Sequence, residues 1–209
     1  MGALLLLRPP WWLGLLRAAA VPRATGDVDA EVVARARTGD HAAFAEIVRH
    51  YDHRLRGLAF RLLGDRNRMD DVLQDAYVKA FRSLPKFKGE SALGTWLYRI
   101  TYNACIDDLR RRPAMASIVD DSDRSASLAD PRPGPDDIAI DRSDLAAALG
   151  RLPPDQRAAV LLVDAYGLDY ADAAEALGVR TGTVGSRLNR ARAALREALD
   201  GSAGEGPAR

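Results

Sequence analysis

From Ala43 to Leu63 the apolar residues fall at Phe44, Ile47, Val48, Tyr51, Leu55, Leu58, Ala59, Leu62 and Leu63. Steps of three and four residues return to one face of an α-helix, which turns once every 3.6 residues. A face this long needs other helices to cover it. Elsewhere no run alternates apolar and polar residues as a half-buried strand does. The chain is therefore expected to be all-α. A shorter helix precedes this one, with Val32, Val33 and Ala36, and stops at Thr38-Gly39-Asp40, where Asp40 caps the next helix. Gly64-Asp65 ends the long helix. Another runs from about Asp70 with Val72, Leu73, Ala76, Tyr77, Ala80, Phe81 and Leu84 on one side. After a loop from Pro85 to Gly94, a further helix spans Thr95 to about Arg112, with Leu97, Ile100 and Ala104 as its stripe and Ile106 and Leu109 near its end.

Beyond Pro113 the composition changes. Asp120-Asp121-Ser122-Asp123 and Pro131-Arg-Pro-Gly-Pro135 carry little that a core could bury, so 113–137 is expected to be a flexible acidic linker. Helical patterning resumes near Ile138. Leu145, Leu149 and Leu152 make one short helix, and Pro154 opens another over Asp155–Tyr166. The expected organisation is two small helical domains, 27–112 and 138–200, with a disordered tail at 201–209. Residues 1–26 open the chain, and within them Met1–Ala20 are apolar but broken by Arg8-Pro9-Pro10. That pair disqualifies a spanning helix, and the basic residue follows the first leucines where a signal peptide puts it before them. The stretch is expected to be a disordered leader or the product of a start codon placed too far upstream. A packed extension is the alternative.

Thirty Lys and Arg against 29 Asp and Glu leave a net charge of +1, which excludes a uniformly basic protein but not local basic patches. One cysteine excludes a disulfide framework and any Cys-rich zinc site, and it fits a reducing, cytoplasmic setting. His41, His50 and His53 lack the spacing of a helical zinc pair with an intervening carboxylate. There is no phosphate-binding glycine loop and no nucleophile elbow. No metal, cofactor, small-molecule substrate or catalytic residue is expected.

The most informative stretch is Asp169 to Leu199. Asp169 is placed to cap a helix carrying Ala173, Ala174 and Leu177. Gly178 follows at the turn, where a left-handed backbone suits glycine. Ala174, four residues before that turn, allows close helix approach, and Val184, six after it, plugs the second helix back onto the first. Val184, Leu188, Ala191 and Leu195 share a stripe. Thr183, Ser186, Asn189 and Arg190 lie opposite, and Arg180 and Arg187 flank the groove-facing end. This is a helix-turn-helix with hydroxyl, amide and guanidinium groups where base edges and phosphates are met. The plainer reading is a solvated helix kept soluble by its arginines.

Gly182-Thr-Val-Gly-Ser-Arg-Leu-Asn-Arg-Ala-Arg192 resembles the signature closing region four of extracytoplasmic-function (ECF) sigma factors. Asp71-Val-Leu-Gln-Asp75 is similar to their polymerase-docking segment. Phe87-Lys-Gly89 and Thr95-Trp-Leu-Tyr-Arg-Ile100, with Asn103, resemble the segment that reads and opens the minus-ten element. The resemblance runs from about Asp27 to Leu199. It implies an alternative sigma factor that binds core RNA polymerase and promoter DNA under the control of an anti-sigma factor. It implies docking through Asp70, Asp71, Leu73, Gln74 and Asp75. It implies minus-ten contacts from Phe87, Lys88, Gly89, Ser91, Trp96, Arg99 and Asn103, with one flipped base pocketed by the loop and Asn103. Minus-thirty-five contacts would come from Arg180, Thr181, Thr183, Ser186, Arg187 and Arg190.

Each assignment has a plainer rival. The acidic face suits a solvated helix start helped by the helix dipole. Trp96 and Phe87 suit a core. Arg110-Arg111-Arg112 suits a basic helix end as well as upstream phosphates. A free-standing regulator with a sensory helical module, and a protein-binding adaptor, are the alternatives for the whole chain. The chain also departs from the family pattern. Arg180 replaces a usual proline, and Gly185 replaces a lysine, removing a phosphate contact. Leu93-Gly94 stands where an aromatic or long residue is common, which predicts a looser loop.

Overall fold

The computed structural model describes residues 12–14, 16, 28–111 and 136–202, and they are helical apart from the connections. The linker expected at 113–137 lies outside them except for its last two residues, which begin a helix. Most of the tail also lies outside.

Four helices form the first group: α1 (Ala30–Arg37), α2 (His41–Leu63), α3 (Arg66–Ser83) and α4 (Leu93–Arg111). The sequence accounts for their ends. Asp29 accepts from Glu31 N at 2.9 Å, and Asp40 accepts from Ala42 N and Ala43 N at 2.8 and 3.1 Å. These carboxylates satisfy amides that have no partner in the first turn. Gly64 ends α2 with φ 70°, and Asp65 caps α3 through Arg68 N at 3.0 Å. Helix α3 thus starts four residues before the expected Asp70, because the cap and not the first apolar residue sets the start. Leu84–Lys86 form a 3-10 turn after it.

The second group is α5 (Asp136–Arg151), α6 (Pro154–Val160), α7 (Tyr170–Leu177) and α8 (Thr181–Ser202). The single helix expected over Asp155–Tyr166 is interrupted: a π turn over Leu161–Ala165 follows α6. Tyr166 N donates to Leu161 O at 2.9 Å, one residue further back than in an α-helix. Gly178 is left-handed, φ 64° and ψ 35°, and Val184, Leu188, Ala191 and Leu195 are fully buried. The helix-turn-helix is therefore present as the spacing predicts.

The two groups are not held apart. Helix α4 packs on α7, and α2 touches α5 and α6. Buried residues of both groups belong to one apolar cluster. The α4 stripe reflects this. Leu93, Leu97, Thr101, Ala104 and Cys105 face inward, and Tyr98 and Tyr102 are buried as well, while Ile100 is only half-buried. The leader expectation is also corrected in part. Trp12 is 0% and Leu16 1% exposed, so these residues are packed extension and not loose chain. Among the described residues no helix is long and apolar enough to cross a membrane.

Candidate functional site

Three surfaces collect the residues singled out above. The first is one stripe of α3. Asp71, Gln74 and Asp75 are exposed, and Val78, 43% exposed, continues the stripe at the next turn. The helix begins at Arg66, so these side chains lie beyond the first turn, where the helix dipole acts most strongly. The solvated-start explanation therefore weakens. Asp70 is held sideways: Arg56 pairs with it and with Asp52, the latter at 2.9 Å, and Asp52 accepts from Tyr77 Oη at 2.7 Å. This network ties α3 to α2. Leu73 is a correction. It is 1% exposed and belongs to the core, so its side chain cannot meet a partner. Val78 was missed. Its i+3 spacing from Asp75 and i+4 spacing from Gln74 could have found it.

The second surface is the turn before α4 with the outer face of that helix. The Phe87 ring lies on Trp96, centroids 5.1 Å apart and planes 42° apart, and both are half-buried. Gly89 turns the loop with φ 74°. Lys88 and Glu90 are 78% and 80% exposed and 3.8 Å apart, a contact of little energetic weight. Ser91 is half-buried. Arg99 and Asn103 are exposed one turn apart on α4, on the face that carries Trp96. Tyr98 and Tyr102 point the other way and cannot stack on a base. The looser loop expected from Leu93-Gly94 is overturned. Leu93 is 5% exposed, both residues are inside α4, and a Cβ on Gly94 would stand 3.0 Å from Tyr51 Cε1.

The third surface is the start of α8. Arg180 precedes the helix, and its carbonyl accepts from Thr183 N at 2.8 Å. Arg180, Thr181, Gly182, Ser186, Asn189 and Arg190 are exposed, and Thr183 is half-buried. Ser186 Oγ donates to Thr183 O at 3.0 Å. The positive dipole end of the helix suits an anion here. Arg187 does not join them. Its side chain is 19% exposed and pairs with Asp155 at 3.0 Å, beside Tyr102 of α4. The wheel gave its direction, and the sequence could not show that another helix covers it.

Arg192, part of the same motif, also faces inward. It forks onto Asp164, Nε at 2.9 Å and Nη2 at 2.6 Å, and that carboxylate is 4% exposed. Asp164 lies within the π turn. Hydrogen bonding to Asp164 holds the Arg192 guanidinium above the ordinary arginine range. Burial pushes the Cys105 thiol up to about 12, so it stays protonated and unreactive near neutrality. No cluster of three or more His, Cys, Asp or Glu able to hold a metal occurs among the described residues.

Comparison with known proteins fits this division. The family model for Sigma-70 region 2 matches residues 47–114, and that for Sigma-70, region 4 matches residues 142–195. The ECF RNA polymerase sigma factor SigM of Mycobacterium tuberculosis is 41% identical over 176 residues, 82% of this chain and 84% of that protein. The ECF RNA polymerase sigma factor SigE of Mycolicibacterium smegmatis is 40% identical over 170 residues, 78% of this chain, and the chain spans 65% of that relative's length. A solved structure of the sigma factor RpoE with the anti-sigma factor NepR from Bartonella quintana aligns at TM-score 0.60 and 29% identity. That alignment covers 75% of this chain and 96% of that one.

Proposed function

Because the chain belongs to the ECF sigma factors of the sigma-70 family, we propose that it binds core RNA polymerase and directs it to a defined set of promoters. RNA synthesis stays with the polymerase, and the chain contributes binding and strand opening without catalysis of its own. Its place of work is the cytoplasm, where polymerase and promoter meet. The observation that carries this reading is that both family regions fall, in order, on helical groups that present separate polar surfaces.

The α3 stripe is the docking surface. Asp71, Gln74 and Asp75 offer negative charge and amide groups beside the exposed Val78, a composition suited to a basic helical partner. The α4 surface handles the opened minus-ten strand. Extruding a base costs a few kcal/mol, and stacking on an aromatic ring returns about 1–3 kcal/mol. Phe87, already steadied by Trp96, supplies such a ring. Lys88 draws phosphate, and Asn103 can read a base edge. The α8 start enters the major groove at the minus-thirty-five element. Arg180 and Arg190 meet phosphates or guanine, and Thr181, Thr183 and Ser186 meet base edges. A solved relative is a complex of a sigma factor with an anti-sigma factor, and a partner of that kind restrains this chain by covering these surfaces.

Co-migration with core polymerase tests the docking assignment. Asp71→Ala/Gln74→Ala should weaken association at least tenfold without loss of helix content, because both side chains are exposed. Unchanged association would remove the α3 stripe from the account.

A further inference from the structure

A cleft lies where the starts of two helices meet the side of a third. It holds about 240 Å³ and is walled by α2, by the first turn of α4, and by the first turn of α7 with the chain leading into it. Pockets for drug-sized molecules run to roughly 300–1,000 Å³, so this one suits an ion with a short organic body. Gly94 and Thr95 bring the N-terminal end of the 19-residue α4 to the cleft, and Asp172 brings that of α7. Both ends carry the positive pole of a helix dipole.

A second observation is independent of the dipoles. His50 lies on the cleft wall, and its Nε2 is buried without a hydrogen-bond partner among the described residues. The ring is held edge to face against Tyr51, centroids 4.8 Å apart and planes 71° apart. Buried polar atoms are almost always paired, so an unpaired one marks a place for a water or a ligand. Arg54, one turn further along α2, hydrogen-bonds the Tyr98 phenol and adds a full positive charge to the same wall. Thr95 Oγ1 stands 3.4 Å from Asp172 Oδ1, long for a hydroxyl donor, so it is free to turn to a better acceptor.

Asp172 is the one acid among the described residues of the wall. Burial, and then the neighbouring Asp169, push its carboxyl up toward the neutral form. A cation entering the cleft would face Arg54 and two positive helix ends. An anion faces only this weakened carboxylate. Phosphate offers more acceptor oxygens than a carboxylate does, and so matches three donors.

We infer that the cleft binds a small phosphate-bearing anion, with His50 Nε2, Arg54 and Thr95 Oγ1 as its donors. The site is separate from the surfaces assigned to polymerase and promoter. Its walls come from both matched family regions, so an occupied cleft stabilises the packing of α2, α4 and α7.

Thermal melting of the full chain tests this, with inorganic phosphate and glycerol phosphate as probes at constant ionic strength and chloride as the reference. Excluded salts stabilise proteins without any site. Wild type is therefore compared with His50→Phe, which keeps a ring against Tyr51 and removes the nitrogen. Probe at roughly tenfold its Kd should raise the wild-type midpoint by about 3–5 °C. His50→Phe should bind at least about fivefold more weakly, as one lost hydrogen bond implies. In chloride it should melt no lower than wild type, because it buries no unpaired nitrogen. Asp172→Asn should bind several-fold more tightly, since the opposing charge is gone while its Oδ1 still accepts from Thr95. A larger shift with either probe supports the site and tells free phosphate from a phosphate monoester. Equal shifts in wild type and His50→Phe, or none in either, would overturn it. Should His50→Phe melt far below wild type, Asp172→Asn decides alone, and unchanged affinity there overturns the site. The melt contains neither polymerase nor DNA, so its outcome stands apart from the promoter reading.

Discussion

Two glycines sit inside helices, and their surroundings give opposite predictions. A Cβ on Gly185 would meet only Tyr170 Cε2 at 3.8 Å, an ordinary contact. Gly185→Ala should therefore raise stability by about 1 kcal/mol, the propensity difference inside a helix. Gly94→Ala places a methyl 3.0 Å from the 4% exposed Tyr51 ring and should lower stability by about 1–2 kcal/mol, typical of overpacking. Thermal or urea unfolding of both variants checks the pair, and equal signs would contradict the packing. Sequence reasoning placed Gly185 inside a helix, where the structure has it. It misjudged Gly94, because Tyr51 is far away along the chain and only the fold brings it close. Arg187 teaches the same lesson: the periodicity gave its angle on α8, but not the Asp155 and Tyr102 that cover it.

At the scale of elements, ends were legible where a cap is local. Asp40, Asp169 and Gly178 each act within a few residues of themselves, and each boundary lies at its capping residue. Asp65 caps α3 as locally, yet the sequence reading takes it only as the end of the preceding helix and so starts α3 late. The π turn at Leu161–Ala165 was not legible: it carries Asp164, whose partner Arg192 lies 28 residues later. Arg192→Ala would leave a carboxylate 4% exposed without its partner. Loss of a buried pair costs ~3–5 kcal/mol, and the lower end applies here because Arg192 is 36% exposed. Denaturant unfolding should show the loss. The Asp164→Asn/Arg192→Gln double variant should recover part of it by removing the stranded charge. A single variant as stable as wild type would show that this pair does not hold α8 in place.

For the whole molecule, burial dominates the behaviour of several phenols. It raises Tyr77, Tyr98, Tyr102 and Tyr166 above the ordinary tyrosine value, and it raises Cys105 to about 12. The folded state favours the protonated form of each group. Their contribution to stability is thus fully present below the unfolded thiol and phenol values, about 8.5 and 10, and is lost as pH rises beyond them. Stability should fall steadily above about pH 9, with phenolate absorbance appearing together with loss of helix signal. Phenolate appearing first, with the helices intact, would contradict the burial of these rings. The all-α class and the two helical groups were readable from periodicity alone. Their mutual packing was not, since Tyr98 and Tyr166 carry no local sign that they stack on each other.

The most direct test is transcription reconstituted from purified chain, core polymerase and promoter DNA. Wild type should start RNA at a defined site. Asp71→Ala/Gln74→Ala should abolish most of that activity on every promoter. Arg190→Ala should reduce it most where the minus-thirty-five element is needed. A chain that binds duplex DNA alone yet leaves the polymerase unable to start at any site would contradict the account.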